Sequence, residues 1–436
     1  MQDVPSQDAI PTYREALAVW ARIGLLSFGG PSGQIALMHR MLVDERKWID
    51  DGRFLNALNF CMLLPGPEAT QLATYVGWRL HGIRGGLTAG ILFVLPGAFV
   101  ILALSMIYAA FGNVPAIEAI FFGIKAAVLV IVVEALLRIA RRALKQPAHW
   151  LLAALSFVAI FFLGAPYPVI VLASAVCGYL LSLRQATAAP VANLAHGVTL
   201  SRTVTTAVLW LAIWIAPLLG IAALFGQSHV LAQIGYFFSK LAVVTFGGAY
   251  AVLAYMGQDV ASQYGWITAG EMMDGLGLAE TTPGPLILVT EFVGYLAAYR
   301  HGAATPSVAM GIAGAVVTLW ATFAPCFLWV FTGAPYIEWL NGQPKLKGAL
   351  AGVTAAVVGV ILNLAIWFAL HVFFAQVSLK QIGVLKLWTP DLATLDWRVA
   401  LLAAASAWLL LWRHWNVVLV LTIAAAGSLA FRLLGV

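Results

Sequence analysis

The most regular pattern along the chain is a series of long apolar runs separated by short polar segments. Residues 87–110, 116–137, 307–331 and 350–374 carry few charged side chains. About 20 apolar residues are needed to cross the hydrocarbon core of a membrane as an α-helix. Strands of a membrane barrel would instead alternate apolar and polar positions. The pattern therefore predicts an all-α polytopic membrane protein embedded in a lipid bilayer.

The sequence also repeats itself. An FGG motif at Phe28, Gly29 and Gly30 recurs at Phe246, Gly247 and Gly248, and a PGP motif at Pro65, Gly66 and Pro67 recurs at Pro283, Gly284 and Pro285. Both recurrences have an offset of 218 residues. Further along, the offset grows to 229, which pairs Pro96 with Pro325 and Gly123 with Gly352. Two homologous halves, with a short insertion near residues 299–306, explain both offsets.

Loop charge predicts how these halves are oriented. We divide the chain into a first repeat (1–183), a cytoplasmic linker (184–206), a connecting transmembrane helix (207–225) and a second repeat (226–436). Lys and Arg concentrate in the cytoplasmic loops of membrane proteins. A basic segment, residues 138–145, marks one such loop. Because one extra helix separates the repeats, we expect the second repeat to have inverted topology.

The FGG and PGP motifs interrupt apolar stretches. Proline lacks a backbone N–H and clashes with the preceding turn, so each PGP motif should break a helix. A kinked spanning helix and a re-entrant helical hairpin both remain open. The loop before the first PGP motif carries Arg40, Arg46, Lys47 and Arg53, whereas residues 258–271 have no basic side chain. This contrast favours hairpins, because they place the basic loop in the cytoplasm.

Composition excludes several classes of protein. The chain is 62% hydrophobic and 10% charged, with a mean hydropathy of +0.92, which is too apolar for a soluble domain. The net charge of +6 lies in short loops, so we expect no nucleic-acid partner. The polar residues 1–11 do not resemble a cleaved signal peptide. The three cysteines suggest neither a disulfide framework nor a metal site, and we expect no cofactor.

The motifs resemble those of a known family. Residues 27–31 (SFGGP), 45–48 (ERKW) and 64–67 (LPGP) are similar to the first-domain motifs of the chromate ion transporter family. The resemblance covers nearly the whole chain. It implies a bacterial inner-membrane protein that exports chromate and confers resistance to it. The second half has Ala249 where the first has Pro31, and Leu286 where the first has Glu68, so we expect the two halves to contribute different contacts.

Two other classes of function are possible for a polytopic membrane protein. Uptake or exchange of sulfate, or of another oxyanion, is the alternative, because sulfate and chromate have the same shape and charge. A membrane-embedded enzyme would need a nucleophile with its base or clustered metal ligands, which the sequence does not suggest. The sequence leaves open whether the chain forms a homodimer.

Charges inside apolar segments are costly and are therefore candidate functional groups. Lys125 lies deepest by sequence and could bind an oxyanion or pair with Glu134. Arg22 and Lys240 each precede an FGG motif by six residues, and they could bind substrate or extend to the membrane surface. We also expect the backbone of the four motifs to contact the substrate.

Three carboxylates are candidates for a proton or counter-charge site. Glu68 follows the first PGP motif, Glu280 precedes the second, and Glu134 lies on the same apolar segment as Lys125. Each of the two beside a PGP motif could instead cap free N–H groups of a helix. We interpret the histidines as interfacial side chains, because their spacing is not that of metal ligands.

Overall fold

A computed structural model describes residues 11–112, 114–183, 200–246 and 248–435. Gly247 and residues 184–199 of the predicted linker lie outside the described residues. The first seven helices are α1 (Tyr13–Leu26), α2 (Gly30–His39), α3 (Asp51–Cys61), α4 (Glu68–Phe111), α5 (Pro115–Ala143), α6 (Pro147–Phe161) and α7 (Tyr167–Leu183). A single helix, α8 (Leu200–Phe225), separates them from the second half.

The second half contains nine helices within the described residues. They are α9 (Val230–Val244), α10 (Ala249–Gln258), α11 (Ala269–Thr281), α12 (Val289–His301), α13 (Val308–Gly333), α14 (Ile337–Asn341), α15 (Pro344–Phe373), α16 (Trp397–Ala407) and α17 (Val417–Leu433). Short π-helical turns follow α2, α10 and α16, and 3₁₀ turns precede α12, α14 and α16. Five described segments are long and apolar enough to cross a membrane: 68–111, 115–143, 200–225, 308–340 and 344–373.

One element departs from the all-α prediction. Between α15 and α16 the chain forms an antiparallel hairpin of β1 (Val377–Ile382) and β2 (Leu385–Pro390), with Val377 opposite Pro390. The backbone N–H of Lys386 donates to the carbonyl of Phe162 at 2.7 Å, which ties the hairpin to the α6–α7 connection. The corresponding link between α5 and α6 is only residues 144–146. The hairpin is therefore an insertion in the second half.

Helix α4 turns back on itself. His81 and Gly82 have non-helical backbone angles, and Gly82 has a φ of 60°. A Cβ on Gly86 would lie 3.0 Å from the carbonyl oxygen of Thr74, and one on Gly77 would lie 2.4 Å from that of Gly85. The first limb (68–80) and the second limb (83–111) of α4 thus pack antiparallel, with glycines permitting the close approach.

The helix pairs around the FGG motifs also run back on themselves. Arg46, which follows α2, lies within electrostatic range of Glu15 at the start of α1. In the second half, Lys240 of α9 lies 5.7 Å from the centre of the Tyr255 ring on α10. Phe237, one turn earlier on α9, packs against Tyr264 beyond α10. The helices of each pair are therefore antiparallel.

The last two helices of each half pack against a long helix of the other half. Helices α6 and α7 pack on α15, and α16 and α17 pack on α5. A Cβ on Gly352 of α15 would lie 2.9 Å from the Cα of Gly178 on α7, and one on Gly123 of α5 would lie 2.9 Å from the Cβ of Ser428 on α17. Gly123 and Gly352 are the positions paired by the 229-residue offset. The same contact is therefore made twice, each time between halves.

Candidate functional site

The FGG and PGP breaks meet in pairs, and each pair joins the two halves. The backbone N–H of Gly66 donates to the carbonyl of Thr245 at 3.0 Å, and that of Gly284 donates to the carbonyl of Ser27 at 2.8 Å. The offset of 218 relates Ser27 to Thr245 and Gly66 to Gly284. The second hydrogen bond is therefore the repeat counterpart of the first.

Glycine permits the backbone conformation at the centre of each PGP motif. Gly66 has a φ of 109° and Gly284 a φ of 95°, a region that L side chains rarely adopt. The opposite half packs directly on Gly284, because a Cβ added to Gly97 on α4 would lie 3.2 Å from the Cα of Gly284. Cys326 on α13 takes the equivalent place beside Gly66.

Hydroxyl groups donate hydrogen bonds to carbonyls of helices that end at the FGG motifs and at the second PGP motif. Ser27 Oγ donates to the carbonyl of Ile23 at the end of α1, and Thr245 Oγ1 donates to that of Leu241 at the end of α9, both at 2.6 Å. Thr282 Oγ1 likewise donates to a carbonyl at the end of α11, at 3.2 Å. These bonds engage acceptors that would otherwise repel an anion.

The helices that begin at the breaks have different ends. Helices α2, α4 and α10 and the 3₁₀ turn before α12 have the N-caps Gly29, Pro67, Gly248 and Pro285, none of which has a side chain that accepts a hydrogen bond from the backbone N–H groups of the helix start. By contrast, Thr12, Asp50 and Thr268 cap α1, α3 and α11 with side-chain oxygens. Backbone N–H groups at uncapped helix starts are good ligands for anions.

The first half's break is more open than the second's. The side chain of Phe28 is 44% exposed, whereas Phe246 is half-buried. Helix α10 is buried from Ala249 to Met256, whereas α2 has only Gln34 and Met38 buried. Gln34 Nε2 donates to the carbonyl of Gly284 at 2.6 Å. The two halves therefore surround the breaks unequally.

The candidate carboxylates lie at different places around the breaks. Glu68 is the first residue of α4 and is half-buried, and its Oε1 lies 3.8 Å from a Cβ built on Gly248. Glu280 is buried and accepts a hydrogen bond from Tyr250 Oη at 2.7 Å. Thus Glu68 of one half lies beside the FGG break of the other, while Glu280 is held by α10.

The two symmetry-related basic residues are both exposed. Arg22 lies on the surface of α1. Lys240 lines a cavity of about 360 Å³ together with Asp259, Lys386 and Tyr255. Both side chains can therefore extend to the surface, and binding of substrate by either residue stays a prediction.

The alternative in which Lys125 pairs with Glu134 is wrong. Lys125 Nζ lies 3.3 Å from Asp274 Oδ2 on α11, whereas Glu134 Oε1 lies 3.7 Å from Arg138 Nη2. Nine residues separate Lys125 from Glu134, which at 3.6 residues per turn places the two side chains on opposite faces of α5. Glu134 is instead one turn from Arg138, where side chains of a helix meet.

Comparison with known proteins identifies the family of the chain. A family model described as chromate transporter matches residues 14–179 and 232–430. The chain is 32% identical over 437 residues to the chromate transport protein of Pseudomonas aeruginosa, covering 97% of this chain and 94% of that protein. The chain belongs to the chromate transporter family. It is also 29% identical over 364 residues to the chromate transport protein of Cupriavidus metallidurans, covering 82% of this chain and 84% of that one.

The chain is also similar to a protein whose name assigns no substrate. An uncharacterized transporter of Methanocaldococcus jannaschii is 25% identical over 416 residues, covering 94% of this chain and 92% of that protein. No solved structure matches the chain. Family membership and the apolar helices together make the protein a multi-pass membrane protein of a transporter family.

Sequence reasoning missed two residues of this family member that contact Lys125 or its partner. Asp274 interrupts the apolar stretch 272–279, and a carboxylate in such a stretch is itself a signal. Tyr108 lies near the end of α4 and donates to Asp274 Oδ2 at 2.8 Å. A lone tyrosine in an apolar helix carries no such signal, so only the structure reveals it.

Proposed function

We propose that this protein is a secondary transporter that exports chromate across the bacterial inner membrane and thereby confers resistance. The observation that carries the proposal is the convergence of uncapped helix starts at the paired FGG and PGP breaks. The names of the relatives in Pseudomonas aeruginosa and Cupriavidus metallidurans support chromate as the substrate.

The breaks suit an anion for two electrostatic reasons. Each helix start carries a partial positive charge of about half an elementary charge from its aligned peptide dipoles. The helix ends that meet the same breaks carry the opposite charge, but Ser27, Thr245 and Thr282 donate hydroxyl hydrogen bonds to their carbonyls. The remaining backbone donors can bind the oxygens of a tetrahedral dianion, as broken helices do in other transporters.

We further propose that the two halves are inverted repeats with re-entrant hairpins. A Cβ on Gly86 would lie 2.6 Å from the ring of Phe331, and one on Gly90 would lie 2.7 Å from that of Phe327. The second limb of α4 and α13 therefore run antiparallel, although the 229-residue offset pairs them as equivalent helices. The antiparallel pairs α1–α2 and α9–α10 support re-entrant hairpins rather than spanning helices.

The membrane potential favours export. Moving a dianion out of a negative-inside cell releases about 4.6 kcal/mol per 100 mV, twice the value for one charge. Uptake of sulfate or another oxyanion would have to overcome the same energy with coupled cations. In this proposal the basic loop after α2 faces the cytoplasm, and residues 258–270 face the periplasm.

The test is chromate accumulation by everted membrane vesicles. We expect vesicles containing the protein to accumulate radioactive chromate when energised, and excess sulfate to compete. Gly29→Asp places a carboxylate at the uncapped start of α2, where a Cβ meets no atom within 4 Å, and should abolish accumulation by repelling the anion. Gly265 also has a positive φ, and a Cβ built on it meets no atom within 4 Å. Gly265→Asp is therefore the matched control.

Two results would contradict the proposal. Chromate accumulation by Gly29→Asp at the wild-type rate would exclude the start of α2 from the substrate pathway. Accumulation of sulfate without chromate would identify the protein as a transporter of a different oxyanion.

A further inference from the structure

A second polar site lies away from the paired breaks. Helices α4, α5 and α11 enclose a cavity of about 270 Å³ whose polar lining includes Tyr108, Glu118, Lys125, Glu271 and Asp274. Gly112, at the end of α4, and Thr268, before α11, also line it. Under the proposed topology, both residues lie on the periplasmic side of the protein.

Asp274 is the buried member of this cavity. Its side chain is 3% exposed, and its Oδ2 pairs with Lys125 Nζ at 3.3 Å and accepts from Tyr108 Oη at 2.8 Å. Its Oδ1 is buried and has no hydrogen-bond partner in the part of the chain that the structure describes. A buried carboxylate oxygen without a partner is costly when ionised, and a proton can lower that cost.

Other groups around Asp274 come from several helices. They are Tyr108 of α4, Lys125 and Glu118 of α5, Glu271 of α11 itself and Arg300 of α12. Arg300 Nη1 donates to Glu271 Oε2 at 3.1 Å, and Thr268 also donates to that carboxylate. Arg300 thus neutralises Glu271, so Lys125 is the cation that faces Asp274.

The other half of the protein lacks this charge pair. The repeat offsets relate Asp274 to Asn56 and Lys125 to Thr354, neither of which is charged. Burying a charge pair costs desolvation energy that its attraction does not always recover. Because one half has neutral residues at these positions, the fold of the repeat does not require the charges.

We infer that Asp274 is a proton-binding site that controls the oxyanion affinity of this transporter through Lys125. The ionised carboxylate neutralises Lys125. A proton from cavity water that binds an oxygen of Asp274 removes that negative charge, so the positive charge of Lys125 becomes available to a dianion. Linkage is reciprocal, so binding of the dianion also favours protonation of Asp274.

The inference rests on the proposed function and adds a coupling ion to it. A proton that accompanies each dianion lowers the transported charge from two to one. The membrane potential then drives export with half the energy that it supplies to the bare dianion, and moving the proton outward works against an inward proton gradient.

The binding test compares four forms of the full-length purified protein. Wild-type affinity for radioactive chromate should fall about 5- to 150-fold from mildly acidic to alkaline pH, the usual range of coupling between sites. Asp274→Asn mimics the protonated acid. This variant should bind chromate tightly, and titration of the protein should change its affinity little. Lys125→Met should bind weakly at every pH. Glu291→Gln removes another buried carboxylate, on α12, and should keep the wild-type profile.

The controls separate titration of the protein from other effects. Chromate itself gains a proton in mildly acidic solution. The chromate affinity of each form at each pH is therefore divided by that of Asp274→Asn at the same pH, and the series is repeated with sulfate. Asn56 occupies the equivalent position in the first half, which indicates that asparagine is tolerated, and unfolding temperatures check folding. A profile for Asp274→Asn that still matches the wild type would overturn the inference. If the pH dependence of chromate affinity is lost in Glu291→Gln alone, Glu291 rather than Asp274 binds the proton.

A second measurement does not depend on the anion. Infrared difference spectra of wild-type protein should contain the C=O band of a protonated buried carboxylic acid that appears as pH falls and is missing in Asp274→Asn. If no variant binds chromate but this band is found, the proposed substrate is wrong and the proton site stands. If chromate binds and the band is the same in both proteins, the proton site is wrong.

Discussion

Gly97 of α4 packs against the carbonyl of Pro283 so closely that a Cβ at position 97 would lie 2.2 Å from the carbonyl oxygen. Pro283 begins the second PGP motif, so this contact joins the spanning limb of α4 to a break in the opposite half. Backbone atoms cannot move aside as a flexible side chain can, and the position therefore admits only glycine without a shift of the helix.

Gly97→Ala should destabilise the protein. Overpacking of a close contact typically costs about 1–3 kcal/mol, and here the clash is with backbone. The unfolding temperature in detergent should fall, and chromate accumulation should decrease. Gly220→Ala on α8 is the control, because a Cβ there meets no atom within 4 Å. Equal unfolding temperatures for the two variants would contradict the close contact at Gly97.

Cysteine labelling tests the proposed topology. Asp44 and Ser262 are both exposed, in the turns that follow α2 and α10. In intact cells, a membrane-impermeant thiol reagent should label Ser262→Cys, and it should reach Asp44→Cys only after the membrane is opened. The native cysteines are first replaced by alanine. Labelling of both sites from the same side would argue against inverted repeats.

A double-mutant cycle tests the partner of Lys125. Removing one member of the pair with Asp274 leaves the other charge without its partner, whereas removing both restores neutrality. Lys125→Met combined with Asp274→Asn should be more stable than the sum of the single changes predicts, by roughly 0.5–3 kcal/mol. Lys125→Met combined with Glu134→Gln should be additive. Coupling in the second cycle instead of the first would contradict the observed geometry.

His39 should make stability depend on pH. Its Nε2 lies 2.7 Å from Asp51 Oδ1 and its Nδ1 lies 3.4 Å from Asp44 Oδ2. The hydrogen bond to Asp51 and the charge of Asp44 raise the pKa of His39. A raised folded-state pKa gives stability that is fully present below the unfolded value of about 6.5 and is lost as pH rises through the folded value.

The unfolding temperature of the wild type should therefore fall relative to that of His39→Gln as pH rises through this window. Asp51→Asn removes the carboxylate that His39 contacts. The difference in unfolding temperature between Asp51→Asn and His39→Gln should therefore vary less with pH than the difference between the wild type and His39→Gln. Parallel curves for the wild type and His39→Gln would show that the histidine contributes no pH-dependent stability.

Separately expressed halves should assemble. Helices α6 and α7 bury their surface against α15, and α16 and α17 bury theirs against α5, so each half covers apolar surface of the other. Residues 1–190 and 200–436, expressed together, should co-purify through a tag on one of them. Gly352→Leu, which would clash with Gly178, should weaken the association. Failure of the unmodified halves to co-purify would contradict this packing between the halves.

The sequence predicted the helical membrane fold because composition and run length alone determine it. Breaks could be placed near Gly29 and Pro65 because glycine and proline disfavour helix there, and described helices do end at Leu26 and Cys61. The β-hairpin was missed because it follows the long apolar run of α15, and its short strands carry a weak pattern beside that signal.

The site was harder to predict than the fold. Pairing of Lys125 with Glu134 was one alternative because both lie on one apolar segment, but helical geometry separates them, and Asp274 of α11 is the partner of Lys125. The bonds of Gly66 to Thr245 and of Gly284 to Ser27 use backbone atoms, which leave no trace in residue identity. A role of the breaks in binding substrate stays a prediction.

The reciprocal bonds between the breaks also set the order in which the protein can be completed during synthesis. Thr245, the acceptor for Gly66, lies 179 residues later in the chain (245 − 66). At 5–20 residues per second, the ribosome needs roughly 9–36 s to reach it. An unpaired N–H in hydrocarbon costs several kcal/mol. Until the second half is inserted, the N–H of Gly66 must therefore be satisfied by water or by the insertion machinery.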